Sequence, residues 1–329
     1  MEIFDEIKTV GNITMSFSNR IRKLKNVIVA RHGIILDHKF NRIPDANQHF
    51  NFWSQLWAPW WVPIKSLPED MMEIVTKPIV ELEDDHYIYG LHYHDSVQFG
   101  HIWDIAQSLH YVNCAELHGK LLCNWQADIP DVDFHWSAFG YGSDSRTPID
   151  TKNYNYLVPV LYVPSMPELP GQIRGELIEW LRGLYLRNAE IDNVPRKLYL
   201  SRSKNKSRHI LNEEELLPII EKHGYTVLHG DEGIKTHINY FYSATKIIGF
   251  LGSLMRNCLF CSSNPRMVEY CSHDYFTDVT IKSIAEAVGV EWYRKISLEQ
   301  VGNFDIVIEP WFLDKLLVNL DPDLKEDLT

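Results

Sequence analysis

Two segments of the sequence place anion-binding groups directly after short apolar runs. One is a glycine-containing turn from Gly249 to Ser253, and the other follows Lys197–Leu200 and is rich in cations. Open α/β sheets hold phosphorylated ligands at the carboxyl ends of strands in this way. Because the chain has a formal net charge of -12, the cluster predicts a site for a small anion, with a solvated basic loop as the alternative. The cations are Arg202, Lys204, Lys206 and Arg208.

Three neighbouring residue types add to this chemistry. Gly249 and Gly252 carry no side chain, so backbone can approach a ligand closely. Ser253 and the N–H groups that open the next helix supply hydrogen-bond donors. Glu269, placed at the end of the next predicted strand, adds a carboxylate at the same edge, with a surface salt bridge as the alternative.

Two further groups of residues are candidates for chemistry. His101, Asp104 and Ser108 share one stripe of a predicted helix over Ile102–Val112, so they would face one cleft. The alternative is a histidine at the helix start and a solvent-facing aspartate. Residues 50–61 contain six aromatic side chains, which would stack on a sugar ring or serve as core or dimer packing. The tryptophans among them are Trp53, Trp57, Trp60 and Trp61.

The alternation of strands and helices predicts an α/β fold with parallel sheets. The predicted strands of the carboxyl half are Lys197–Leu200, Tyr225–Leu228, Ile247–Leu251 and Met267–Cys271. Asn212 and Glu215 are spaced as a capping box for the helix after the first of these strands. The segment from Pro164 to Gly171 holds three prolines and predicts a domain boundary.

Composition limits the function classes. A chain of 329 residues is long enough for two domains. The acidic balance argues against nucleic acid and anionic membranes as main partners. No apolar run reaches the ~18 residues of a membrane span, and none at the amino terminus predicts a signal peptide, so a cytoplasmic location is expected. Cys258 and Cys261 lack a second ligand pair for zinc, which predicts buried, reduced cysteines.

Several of these motifs resemble those of the family-61 glycosyltransferases. The similarity spans about residues 26–294 and is carried by three motifs. These are Tyr199–Arg202 with Arg208 and Ile210–Glu213; Gly249, Gly252, Ser253 and Asn257 with Leu259–Phe260; and Phe99–Asp104 upstream. The family usually has a histidine in the glycine turn, where this chain has Leu251, and that histidine lies close to the nucleotide-sugar.

The resemblance implies a GT-B-like fold of two Rossmann-like lobes facing a cleft. Residues 1–165 would form the acceptor-side lobe, 166–190 a linker helix and 191–295 the nucleotide-sugar-binding lobe. Residues 296–329 would form a helix and tail that pack on the first lobe. The donor would contact the residues of the two carboxyl-terminal motifs, namely Arg202, Lys204, Arg208, Gly249, Leu251, Gly252, Ser253, Asn257 and Glu269.

The implied function is inverting transfer of a sugar from a nucleotide diphosphate-sugar, expected to be UDP-linked, to a glycan or glycoconjugate hydroxyl. Asp104 would be the base with His101 as its helper, and no metal or other cofactor is expected. The alternatives are a catalytically impaired glycan- or nucleotide-binding relative, motivated by Leu251, and an unrelated enzyme such as a nucleotide-sugar epimerase. A homo-oligomer and a viral or bacterial source are compatible with the sequence.

Overall fold

The computed structural model describes fourteen stretches of the chain. The chain forms two compact units, Met1–Pro167 and Glu168–Thr329, which divide within the proline-rich segment. The described residues are 6–10, 13–17, 21–41, 43, 73–91, 99–124, 131–164, 175–187, 194–205, 208–262, 264–272, 280–297, 300–301 and 304–320.

The described part of the first unit is built on one mixed sheet of nine strands in the order β1-β2-β3-β9-β6-β7-β8, with β4 beside β3 and β5 beside β9. Neighbouring strands are antiparallel from β1 through β2 and β3 to β9. They are parallel from β9 through β6 and β7 to β8. The strands are β1 (Glu6–Val10), β2 (Ile13–Phe17), β3 (Ile21–Val29), β4 (Ile35–Leu36), β5 (Ile79–Glu81), β6 (Tyr87–Gly90), β7 (Lys120–Asn124), β8 (Arg146–Ile149) and β9 (Asn155–Pro164).

The antiparallel half corrects the expectation of a parallel, Rossmann-like sheet in this unit. The connections at 11–12 and 18–20 are too short for the crossover that parallel strands require. Strands β3 and β9 then pair along most of their length. Their inward side chains, among them Leu24, Val27, Val158 and Leu161, are fully buried, and this apolar contact holds the sheet together.

The helices α1 (Phe99–Cys114) and α2 (Val132–Ala138) accompany this sheet. The predicted helix over Ile102–Val112 is therefore confirmed, with α1 longer at both ends. Ile105, Ala106, Leu109 and Val112 are buried on one face of α1, as their helical spacing predicts.

The second unit contains the parallel sheet predicted for the carboxyl half, in the order β11-β10-β12-β13-β14. All four pairings between neighbours are parallel. Its strands are β10 (Lys197–Leu200), β11 (Thr226–Leu228), β12 (Lys246–Phe250), β13 (Arg266–Ser272) and β14 (Glu291–Ser297), with a separate antiparallel pair of β15 (Gln300–Val301) and β16 (Asp305–Ile306). Its helices are α3 (Gly175–Leu186), α4 (Glu213–Lys222), α5 (Ile234–Ser243), α6 (Thr280–Val288) and α7 (Pro310–Asn319).

Helices cover both faces of this second sheet. Leu216 of α4 and Leu313 and Leu317 of α7 join the core that covers one face, so the apolar side of the last helix is buried in the second unit. On the other side, Tyr185 of α3 packs against Phe260 with ring centroids 5.3 Å apart. The helix expected as a linker therefore packs on the second unit too.

Candidate donor-binding site

The two anion-binding segments predicted from the sequence lie side by side in the second unit. Leu200 of β10 pairs with Gly249 of β12, and Phe250 of β12 pairs with Tyr270 of β13. The residues that follow these strands therefore meet at one edge, the carboxyl edge of the sheet. The N–H of Leu251 donates to the carbonyl of Tyr270 at 2.7 Å and extends the ladder by one bond.

Arg202 and Gly252 are in direct contact at this edge. Arg202 is only 8% exposed, and its Nε donates to the carbonyl of Arg208 at 3.0 Å. A Cβ placed on Gly252 would lie 1.9 Å from Nη1 of Arg202. Position 252 must therefore be glycine for the guanidinium to lie where it does. This geometry explains why the arginine loop and the glycine turn occur together in the sequence.

Gly249 packs closely against the neighbouring strand. A Cβ at this position would lie 2.6 Å from Cβ and 3.0 Å from the carbonyl oxygen of Leu200. The absence of a side chain at Gly249 therefore allows β12 to pack on β10. The assignment of Gly249 to the donor site stays a prediction.

The basic loop is held in place from two sides. Lys204 Nζ lies 2.6 Å from Asp231 Oδ2, an exposed ion pair. The backbone N–H of His209 donates to Asp305 Oδ1 at 2.7 Å. Arg208 lies between these contacts with a φ of 62°, a left-handed conformation that costs a non-glycine residue on the order of 1–3 kcal/mol. The surrounding contacts hold the strained Arg208 in the position where its carbonyl accepts from Arg202.

Asn212 does not form the predicted capping box. Its Nδ2 donates to the carbonyl of Ile308 at 2.8 Å, and its Oδ1 accepts from the N–H of Ile308 at 3.1 Å. The amide thus pairs with a peptide group far along the chain instead of capping α4. The segment around Ile308 supports the basic loop through this bond.

A chain of hydrogen bonds runs beneath the basic loop. Glu213 accepts from the hydroxyls of Tyr199 at 2.7 Å and Ser201 at 2.9 Å. Ser201 Oγ lies 3.0 Å from Ser203 Oγ, which lies 3.3 Å from Nδ1 of His229. Burial, followed by the charge of Glu213, raises the pKa of Tyr199 well above its ordinary value. Tyr199 therefore stays a neutral donor to the carboxylate.

Glu232, in the loop after β11, is a carboxylate at the same edge of the sheet that the sequence analysis did not single out. Its carboxylate accepts from the N–H groups of His229 at 2.6 Å and Gly230 at 2.8 Å, and it lies 3.1 Å from Nε2 of His237. Burial alone would raise the pKa of Glu232, but the His229 N–H, the His237 ring and further backbone N–H groups outweigh burial and lower it to about 2. The sequence does carry a signal for this loop, since Gly230 and Gly233 flank the acid directly after a strand. In the structure both glycines have a positive φ.

The glycine turn leads into a 3-10 helix over Ser253–Phe260, where an α-helix was predicted. Leu251 is 2% exposed, so the residue in place of the family histidine is an apolar core residue. Asn257 is fully buried, and neither polar atom of its amide has a hydrogen-bond partner in the part of the chain the structure describes. An unsatisfied buried group costs about 1–3 kcal/mol, which makes Asn257 a candidate for a ligand contact.

Glu269 lies in the middle of β13 and not at its end, because the strand continues to Ser272. It is fully buried, and its Oε2 accepts from Arg294 Nη2 at 2.8 Å and from Trp292 Nε1 at 3.2 Å. The predicted surface salt bridge is thus a buried one to the neighbouring strand. This carboxylate holds β13 and β14 together as well as being a donor-binding candidate.

The structure describes less of the candidate catalytic and acceptor residues than of the donor-site candidates. His101 and Asp104 fall on α1, but their side chains lie outside the described residues. Ser108, which shares their stripe, is 1% exposed, so this end of the stripe faces the core. Trp53, Trp57, Trp60 and Trp61 also lie outside the described residues.

Two aspartates of the first unit pair with basic side chains in the described regions. Asp84 pairs with Lys120 at 3.0 Å and Asp133 with Arg146 at 2.5 Å. The described residues contain no group of three or more His, Cys, Asp or Glu side chains arranged to hold a metal ion. Nor do they contain a helix long and apolar enough to cross a membrane.

The cysteines of the 3-10 helix are buried and reduced, as predicted. Cys258 and Cys261 are both free thiols with almost no exposure. Burial, the largest influence, raises the pKa of Cys261 to about 12. These cysteines are therefore protonated core residues.

An α/β chain with a buried arginine against a glycine turn at the carboxyl edge of a parallel sheet is typical of enzymes that handle phosphorylated substrates. The family model described as Glycosyltransferase 61 matches residues 40–268, most of the chain. The protein therefore belongs to glycosyltransferase family 61 and is a glycosyltransferase. The match includes the basic loop, the glycine turn and α1 and ends within β13. No curated protein matches the chain.

Proposed function

We propose that this enzyme transfers a sugar, with inversion, from a nucleotide diphosphate-sugar to a hydroxyl of a glycan. The proposal assigns the donor to the carboxyl edge of the second sheet. The observation that carries it is the burial of the Arg202 guanidinium over Gly252, beside the start of the 3-10 helix. An arginine grips phosphate oxygens through parallel N–H bonds, and it neutralises a leaving pyrophosphate without a metal ion.

The donor residues divide by role in this proposal. Arg202 contacts the phosphates, and the N–H groups of Ser253 and the residues after it add donors. Asn257 supplies an amide to the sugar or nucleoside. Lys204 and Arg208 contribute mainly through position, because the Lys204 charge is shared with Asp231 and the Arg208 carbonyl orients Arg202. A UDP-linked donor is the form proposed.

Catalysis is assigned to the first unit, with Asp104 as the base and His101 beside it on α1. Inverting transfer is an in-line displacement, in which one base removes the proton of the acceptor hydroxyl. The tryptophans from Trp53 to Trp61 are proposed to stack on the acceptor. A GT-B arrangement of the two units belongs to this proposal.

One experiment tests the proposal as a whole. Purified enzyme is incubated with a panel of UDP-, GDP- and CMP-linked sugars, and nucleotide release and product anomeric configuration are followed with and without EDTA. We expect one diphosphate donor to be used, an inverted product, and activity that survives chelation. A retained configuration, or activity lost in EDTA and restored by Mn²⁺, would contradict the inverting or the metal-independent part.

The base is tested by Asp104→Asn, which keeps the size of the side chain but cannot take a proton. Loss of a general base lowers the rate about 10²–10⁴-fold, while nucleotide binding and melting temperature stay near wild type. A variant that transfers sugar at the wild-type rate would exclude Asp104 as the base.

The burial of Leu251 supports a second candidate function, a nucleotide- or glycan-binding relative with impaired catalysis. A histidine in the family turn lies near the nucleotide-sugar, whereas Leu251 belongs to the apolar core. Nucleotide binding without turnover of any donor in the panel would favour this candidate.

A further inference from the structure

Ser272, the last residue of β13, carries a hydroxyl that nothing so far assigns to the site. The residue is fully buried, and its Oγ has no hydrogen-bond partner within the described part of the chain. Burying such a group unsatisfied costs about 1–3 kcal/mol. A buried serine hydroxyl that carries this free-energy cost indicates either a contact with a ligand or a role in stabilising the fold.

The strand register places Ser272 at the same edge of the sheet as the arginine site. Phe250 of β12 pairs with Tyr270 of β13, and the N–H of Leu251 donates to the carbonyl of Tyr270. Gly252 and Ser272 each follow this last pair by two residues, at the ends of neighbouring strands that lie about 4.7–4.9 Å apart.

The guanidinium of Arg202 occupies the position that a Cβ of Gly252 would take. The guanidinium, which reaches Gly252 from the loop after β10, and the Ser272 hydroxyl thus lie at the ends of two neighbouring strands, β12 and β13, about 4.7–4.9 Å apart. Two donors at this distance can share one acceptor oxygen, since each hydrogen bond spans about 2.7–3.0 Å. The pair matches a phosphate oxygen better than it matches another protein group.

We propose that Ser272 is a phosphate-binding residue, whose hydroxyl donates to the same phosphate group that Arg202 neutralises. This inference rests on the proposed function, because it adds a donor to that site. The family match ends at residue 268, so Ser272 lies beyond the matched region.

The test uses Ser272→Ala in the full-length protein, with Tyr225→Phe as the matched control. Tyr225 also has a buried hydroxyl without a hydrogen-bond partner, but it precedes β11, at the opposite edge of the sheet. UDP, GDP and inorganic pyrophosphate are titrated calorimetrically into wild type, both variants and Arg202→Ala. Melting temperatures are measured without added nucleotide.

We expect Ser272→Ala to bind the tightest of these probes about tenfold to a hundredfold more weakly, the range for a lost hydrogen bond to a charged group. Its melting temperature without nucleotide should be unchanged or higher, because an unsatisfied group is removed. Tyr225→Phe should bind as wild type does.

Other results distinguish a failure of the role of Ser272 from a failure of the proposed donor site. Wild-type affinity in Ser272→Ala, with Arg202→Ala weakened, would refute the role of Ser272 and leave the phosphate site standing. A lower melting temperature with unchanged affinity would show that the hydroxyl is structural and also refute it. If Arg202→Ala binds like wild type, or wild type binds none of the probes, the proposed donor site fails and the role of Ser272 fails with it.

Discussion

The two edges of the second unit's sheet both carry cationic side chains, but they use them differently. At the amino edge, Lys197, Lys246 and Arg266 start three adjacent strands and stand side by side. Lys197 Nζ donates to the carbonyl of His223 at 3.1 Å, and Arg266 pairs with Glu291 at 2.9 Å. His223 is the C-cap of α4, where the negative end of the helix dipole stabilises a cation. The charges of Lys197 and Arg266 therefore form stabilising contacts within the protein.

At the carboxyl edge the basic side chains lie near the positive ends of helix dipoles and not near a negative end. The helices α4 and α5 and the 3-10 helix follow β10, β11 and β12, so the positive ends of their dipoles lie at this edge. A cation at this edge adds its positive charge to that of the helix N-termini and does not neutralise it. The combined positive charge favours the binding of an anionic ligand. The comparison shows that basic residues occur at both edges, so their number does not distinguish the two. The proposed phosphate site is distinguished by the position of its cations relative to the helix termini.

The largest expected difference between the edges is in nucleotide affinity. Arg202→Ala removes the buried guanidinium, so UDP binding should weaken about a hundredfold, as for charge-assisted bonds of about 1.5–3 kcal/mol. Lys246→Met is the control at the amino edge. Burial and the neighbouring charges of Lys197 and Arg266 already lower the pKa of Lys246, and its loss should leave UDP affinity unchanged. Calorimetric titration checks both, and equal weakening in the two variants would remove the distinction between the edges.

Two glycines of the same turn form the next test. Gly249→Ala places a methyl against Leu200 and should lower the free energy of unfolding by about 1–3 kcal/mol, the usual cost of overpacking. Gly252→Ala meets the end of a long side chain, which can move away. It should change stability little and weaken UDP binding about tenfold through the displaced arginine. Urea denaturation and titration separate the two effects, and a reversed pattern would contradict the assignment of the glycines.

The sequence predicted the strands that carry the candidate site better than the contacts that support it. Lys197–Leu200 was placed as observed, because a short apolar run between turn residues is a local signal. Strand β14 was missed, since charged residues interrupt its sequence, Glu291–Ser297. The pairing of Asn212 with Ile308 and the packing of Leu200 against Gly249 depend on residues distant in sequence. No local pattern reports such contacts, so a capping box was predicted at Asn212 in place of the pairing with Ile308.

A smaller effect is expected at the loop after β11. Glu232→Gln removes a carboxylate whose pKa is lowered to about 2 in the folded chain, which should cost about 1–2 kcal/mol of stability at pH 7. A depressed pKa stabilises the fold above the ordinary glutamate value of 4.5, and this stability is lost as the pH falls from there toward 2. The difference between wild type and variant in urea denaturation should therefore shrink over that range.

The control for this prediction is Asp314→Asn. This exposed carboxylate lies near Lys222 and His223 at the amino edge and should change stability less. A stability difference between wild type and Glu232→Gln that does not depend on pH would mean that the carboxylate does not act through its charge.

The central claim is that the carboxyl edge of the second sheet holds the donor phosphates, and hydrogen exchange with and without UDP tests it most directly. Peptides covering 201–210 and 251–257 should exchange more slowly with UDP, because backbone N–H groups and the basic loop become ordered around the phosphates. Peptides covering 223–227 and 264–267, at the amino edge, should not change. Protection confined to the amino edge, or to the first unit alone, would contradict the account.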